Sequence, residues 1–211
     1  MFADTHKLIA ANIHENIYDI YGLKLDKERL LRASVAPDVL PQYRLIRHYK
    51  DESLNFIVKE IMKIIFVCRY VDLEKLPDPI AVKALSKKIG IISHYLSDYV
   101  CYPHANRWTF FGTMKKHIKY ESLLNDYAKT HDFKKSVIQA DDIDIYDGNL
   151  ISFRSKIKNY INDVIQEYDA KVSFANDLDF ALSLNLKISY FIIDTIREYT
   201  EELHPHFVYE L

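Results

Sequence analysis

Two histidine–carboxylate pairs mark the stretch from Ile91 to Tyr127: His94 with Asp98, and His117 with Glu121, each four residues apart. On an α-helix that separation stacks both side chains on one face, one turn apart. His104 lies between the pairs, six residues beyond Asp98. Imidazole and carboxylate are both ordinary zinc ligands, and a catalytic zinc site keeps one position open for water. Two such pairs, joined by a bend that carries a third histidine, make a chelating surface. Taken singly, each residue has a plainer reading. A lone core histidine is usually just hydrogen-bonded, and His117 and Glu121 could be a solvated pair beside Lys115, Lys116 and Lys119. The repetition of the pattern favours metal.

The elements that must position these residues are helices. Leu8, Ile9, Ile13, Ile17 and Ile20 fall at helical spacing between Ala3 and Tyr21, and Gly22 is a good stop. A short helix is expected over Asp26–Ala33. The prolines at 37 and 41 predict an irregular loop from Ser34 to Arg44, with Asp38 inside it. An apolar helix follows over Asp51–Tyr70, with His48 just before it. Pro79 suits the first turn of a helix through Tyr99, which Pro103 ends or kinks just before His104. Another helix runs from Gly112 to Ala128. Phe133–Leu150 reads as an acidic surface loop. Ile151–Tyr168 and Val172–Tyr199 carry strong 3.6-residue patterns, and the tail from Glu201 shows no period. The expectation is an all-α, compact multi-helix bundle of six to eight helices, forming one domain over residues 1–211.

Composition narrows the class. Four glycines and six prolines in 211 residues favour long helices, and 16 tyrosines with 11 phenylalanines are enough to pack them. A net charge of −2 without a basic run gives no electrostatic case for nucleic acid. Cys68 and Cys101 are too few for a disulfide framework or a thiolate site and read as buried free thiols. No apolar run approaches the roughly 20 residues of a membrane span. The start lacks a secretion signal, so the expected localisation is cytoplasmic, or secreted if the chain begins at a mature N-terminus.

The remaining candidates are weak on spacing alone. His6 reads as a helix-start residue, Asp38 as a turn residue after Pro37, and His48 as a surface residue. His14, His131, His204 and His206 read as ordinary. Trp108, Phe110 and Phe111 form an aromatic cluster that either plugs the core or lines a lipid pocket and touches a membrane surface.

The order of these pieces resembles the bacterial zinc-dependent phospholipase C family, which includes the clostridial alpha-toxins. The matching pieces are DTHKLI (Asp4 to Ile9), VAPDVL (Val35 to Leu40), RHYKD (Arg47 to Asp51), SHYLSDYVCYPHAN (Ser93 to Asn106) and KHIKYE (Lys116 to Glu121). The resemblance implies an all-α bundle holding zinc ions in a cleft, a scaffold related to that of zinc nucleases. By it, His104, His117 and Glu121 would hold one ion. Asp38, His48, His94 and Asp98 would surround a second, with Asp98 bridging towards a third held by His6. In the family the third ion also takes the amino group and carbonyl of an N-terminal tryptophan. This chain reads Met1-Phe2 there, so two or three ions are expected. No counterpart of the lipid-binding β-sandwich that toxin members of the family carry is expected after the last helix.

The chemistry implied is phosphodiester hydrolysis of a phospholipid or a small soluble phosphodiester. Metal-activated water would attack phosphorus, with Asp38 as proton acceptor. Two other readings stand beside it: a zinc nuclease or nucleotidase, and a catalytically inactive helical metal-binding or interaction protein. Transient contact with a membrane surface is expected if the substrate is lipid.

Overall fold

The computed structural model describes residues 1–73, 78–108, 112–144 and 150–208, and these are helical throughout their regular parts. In chain order the helices are α1 (Ala3–Tyr21), α2 (Lys27–Ala33), α3 (Ala36–Val39), a 3-10 turn (Pro41–Tyr43), α4 (Lys50–Cys68), α5 (Pro79–Tyr99), α6 (Tyr102–Ala105), α7 (Met114–Ala128), α8 (Leu150–Tyr168) and α9 (Phe174–Val208). No strand occurs among the described residues. The all-α expectation holds.

Local chemistry sets the boundaries. Gly22 adopts φ 64° and its N–H bonds the Tyr18 carbonyl, closing α1 with a left-handed turn. The Asp26 side chain accepts from the Arg29 N–H and that of Asp78 from the Ile80 N–H, capping α2 and α5.

Most differences from the sequence reading share a cause. Proline reads as a breaker, but Pro37, Pro41 and Pro103 each sit in the first turn of a short helix, where the missing N–H costs nothing. The Ser34–Arg44 loop is therefore mostly α3 and a 3-10 turn, and His104 lies in α6 rather than at a kink. These one-turn pieces also raise the helix count above eight among the described residues. α9 runs on to Val208, through the tail that showed no period. Phe110 and Phe111 lie outside the described residues, as do parts of the linker before Pro79 and of the acidic loop.

α5 is the central post. Every residue from Ile89 to Tyr99 is buried, and the helix packs against α1, α2, α4 and α9. Each fully buried Ile or Leu along it contributes about 1.5–3 kcal/mol. Its polar groups are matched internally: Ser93 and Ser97 hydroxyls donate to carbonyls one turn back, and the Asn185 amide from α9 donates to Ser97 Oγ at 2.9 Å.

Gly90 lets α5 and α2 touch. A Cβ there would lie 2.6 Å from the Leu30 carbonyl oxygen and 2.7 Å from Ala33 Cβ. Backbone cannot yield as a flexible side chain can. Gly90→Ala should therefore cost about 1–3 kcal/mol and lower the melting temperature by about 5 °C, as read by circular dichroism. An unchanged melting curve would show that α2 is free to shift.

Candidate metal centre

α5 delivers His94 and Asp98 from one face, α1 delivers His6, and α7 delivers His117 and Glu121. α3 brings Asp38, the residues entering α4 bring His48, and α6 brings His104. All eight sequence candidates converge. Their ligand atoms fall into three groups, each with atoms within 4.8 Å of one another: His6, His94 and Asp98; Asp38, His48 and His94; and His104, His117 and Glu121.

Asp98 stands where the groups meet, only 1 % exposed. Its Oδ1 lies 3.4 Å from His6 Nε2 and 3.6 Å from His104 Nε2. Its Oδ2 lies 2.8 Å from His48 Nδ1 and 3.4 Å from His94 Nε2. Glu121 Oε1 closes the second end, 2.9 Å from His117 Nε2 and 3.0 Å from His104 Nε2. Asp38 is the open member, its side chain 39 % exposed and its Oδ1 3.5 Å from His94 Nε2.

The imidazoles are oriented from behind. His94 Nδ1 donates to the Ser34 carbonyl at 2.8 Å, and His117 Nδ1 donates to the Trp108 carbonyl at 3.0 Å. Each bond fixes a tautomer and turns Nε2 inward. His6 stacks on His94 with ring centroids 3.9 Å apart. Trp108 packs edge-on against Tyr102 and Tyr120, the core-plug arrangement.

The electrostatics are those of a cation trap. Burial opposes ionisation of Asp98, but His104, the Met1 ammonium, His6 and His94 outweigh it and hold the carboxyl well below its usual range. Glu121 is likewise held far down against its burial, by the Met1 ammonium and by hydrogen bonds from His104 and His117. Burial drives His94 well below the usual histidine value, which keeps its nitrogen free to ligate. Burial and the charge of Asp98 push the Asp38 carboxyl upward.

Two groups lie outside the eight candidates, the first raised only through the family's N-terminal amine. One is the Met1 amine, 2.6 Å from Asp98 Oδ1, 2.9 Å from Glu121 Oε1 and 3.4 Å from His104 Nε2. A backbone amine carries no residue-type signal. The other is Asp177 in the first turn of α9, fully buried, which accepts from the Tyr102 N–H, the Tyr120 hydroxyl and the Tyr168 hydroxyl. Burial pushes its carboxyl up to about 7. Tyr102 opens the helix of His104, and Tyr120 directly precedes Glu121, so one carboxylate ties two ligand-bearing helices to α9.

That tie is testable. Tyr120→Phe should weaken zinc binding about ten-fold in competition with a chromogenic chelator, the loss typical of an outer-shell partner. Tyr168→Phe, which removes a bond to the same carboxylate from a helix bearing no candidate, should leave zinc affinity near wild type. Equal effects would mean that Asp177 serves packing alone.

The centre suits a divalent cation. His6 Nε2, which faces Asp98, is buried without a hydrogen-bond partner, an unmatched group costing about 1–3 kcal/mol. The Met1 ammonium rests between two carboxylates, a positive charge held by two negative ones. Nitrogen and carboxylate oxygen donors without thiolate are a zinc-compatible set. Cys101, also buried, remains a thiol because burial pushes it well above its usual value. Of the histidines read as ordinary, His14 bonds the Leu25 carbonyl and His131 pairs with Asp179, both away from the centre.

A family model described as zinc dependent phospholipase C matches residues 5–175, well over half of the chain. No curated protein and no solved structure matches it.

Proposed function

The chain belongs to the zinc-dependent phospholipase C family, and from that premise we propose that it is a phosphodiester hydrolase. In this reading water attacks the phosphorus of a phospholipid or a soluble phosphodiester. One observation carries it: the two oxygens of Asp98 face different histidines, an arrangement that would let this carboxylate serve more than one ion. The three groups would hold the zinc, with the half-open Asp38 at the edge of its group and beside the metal rather than on it. His94 belongs to two of them, so the count is two if it serves one ion for both and three otherwise. Zinc, when bound, supplies Lewis acidity that acidifies water and offsets phosphoryl charge.

The chain's own residues supply the rest. Asp38 Oδ1 is the proton acceptor for the attacking water. It is reachable from solvent, sits beside His48 and His94, and its upward-shifted carboxyl is the stronger base. The carbonyls of Ser34 and Trp108 lock His94 and His117, so the ligand nitrogens need no reorientation. No protein nucleophile is required, and the protonated Cys101 does not offer one.

Metal analysis of the purified protein, combined with product analysis, tests the proposal. The expected result is at least one zinc per chain and release of diacylglycerol from phosphatidylcholine, or of p-nitrophenol from a soluble phosphodiester. Phosphate release from 3′-nucleotides alone would move the chain to the nucleotidase reading. Bound zinc without turnover on any ester would leave a binding protein.

A further inference from the structure

The segment that joins Asp38 to His48 exposes aliphatic side chains at the edge of the centre. Val39 is 68 % exposed, Leu40 38 % and Leu45 95 %. Arg44 and Arg47 are exposed beside them. The segment is a built platform. The Tyr43 N–H bonds the Leu40 carbonyl at 3.1 Å, and the Ile46 N–H bonds the Tyr43 carbonyl at 2.8 Å. Tyr43 packs edge-on against Phe56 in α4, and Ile46 is packed on the core. Solvation of these aliphatic groups is thus a property of a fixed conformation. The exposed aromatic patch at the end of α4 differs, since the Arg69 guanidinium lies over the Phe66 and Tyr70 rings.

Single exposed aliphatic residues need no explanation, but three within seven residues, interleaved with arginine and bounded at both ends by centre residues, do. Arg47 and Arg107 pair with Glu52 and Lys50 with Asp51, so the positive charge there is partly matched, with Arg44 outside those pairs. Aliphatic side chains with interspersed cations are the composition that inserts into the headgroup region of an anionic bilayer.

We infer that the Val39–Arg47 segment is an interfacial docking surface that seats the mouth of the centre on an anionic lipid bilayer. The inference rests on the hydrolase reading for its purpose, since it commits the substrate to the lipid side of that reading. Its geometry stands apart from it. Docking by this segment places Asp38 and His48 directly behind the contact, so a headgroup phosphate reaches the centre without the lipid leaving the bilayer.

The test uses the whole chain and vesicles of equal parts phosphatidylcholine and phosphatidylserine. Wild type should sediment with them, and Leu45→Glu should reduce the bound fraction roughly ten- to hundred-fold, the consequence of removing one buried leucine from the contact. Arg44→Glu should lose binding to these vesicles more than to pure phosphatidylcholine. Both variants should keep wild-type zinc content and wild-type turnover of a soluble p-nitrophenyl phosphodiester, because neither position belongs to the centre. Leu45→Glu binding like wild type would overturn the inference. So would self-association of lipid-free wild type that Leu45→Glu abolishes, which would make a second copy the occupant. Absence of turnover on every ester with sedimentation intact would instead sink the hydrolase reading and leave the surface standing.

Discussion

Asp98→Asn should reduce hydrolysis of a p-nitrophenyl phosphodiester by roughly 10³-fold or more, with helical circular dichroism retained. The size follows from what zinc contributes, several kcal/mol of transition-state stabilisation at about 1.4 kcal/mol per factor of ten. Asparagine keeps the shape but cannot keep the role. Oδ1 faces His6, His104 and the Met1 amine, while Oδ2 faces His48 and His94, so an NH2 replacing Oδ1 meets the Met1 ammonium, one replacing Oδ2 meets the His48 Nδ1 donor, and either removes the charge both sets share. Zinc content should fall with the rate. Asp38→Asn provides the contrast: a group beside the centre that takes a proton should lose about 10²- to 10⁴-fold in rate while most of the zinc stays. If Asp98→Asn retains both zinc and turnover, the shared-carboxylate arrangement is wrong.

The sequence made Asp98 visible and left others hidden, for physical reasons. A four-residue spacing on a helix is a rigid statement about direction, so His94/Asp98 and His117/Glu121 were legible as facing pairs before any fold was known. His6, Asp38 and His48 had no such partner at fixed spacing. Their approach depends on how α1, α3 and the entry to α4 pack around α5, and only the family resemblance singled them out. The carbonyls of Ser34 and Trp108 and the amine of Met1 belong to the backbone, which every residue shares. Asp177 failed differently. An acidic residue in a first helical turn is expected from the helix dipole alone, and nothing local announced that tyrosines from α7 and α8 would donate to it. The prolines misled because their effect depends on position: at 37, 41 and 103 they start helices.

Removal of zinc by a strong chelator should lower the melting temperature by about 10 °C. A ligand present at a thousand times its dissociation constant stabilises by about 4 kcal/mol, and a chain of this size moves about 2–4 °C per kcal/mol. The centre gives the number its sense. With no cation, two ionised carboxylates stay buried opposite five imidazoles, of which burial holds His94 toward the neutral form. His6 Nε2 stays buried without a hydrogen-bond partner among the described residues. The Met1 ammonium supplies one counter-charge between the two carboxylates. Melting should therefore remain cooperative, only earlier, and re-addition of zinc should restore it. Asp98→Asn, with the shared ligand gone, should melt at nearly the same temperature with and without chelator. Should wild type also melt within about 2 °C in both conditions, zinc contributes little to the folded state, and this cluster of histidines and carboxylates must be held by packing instead.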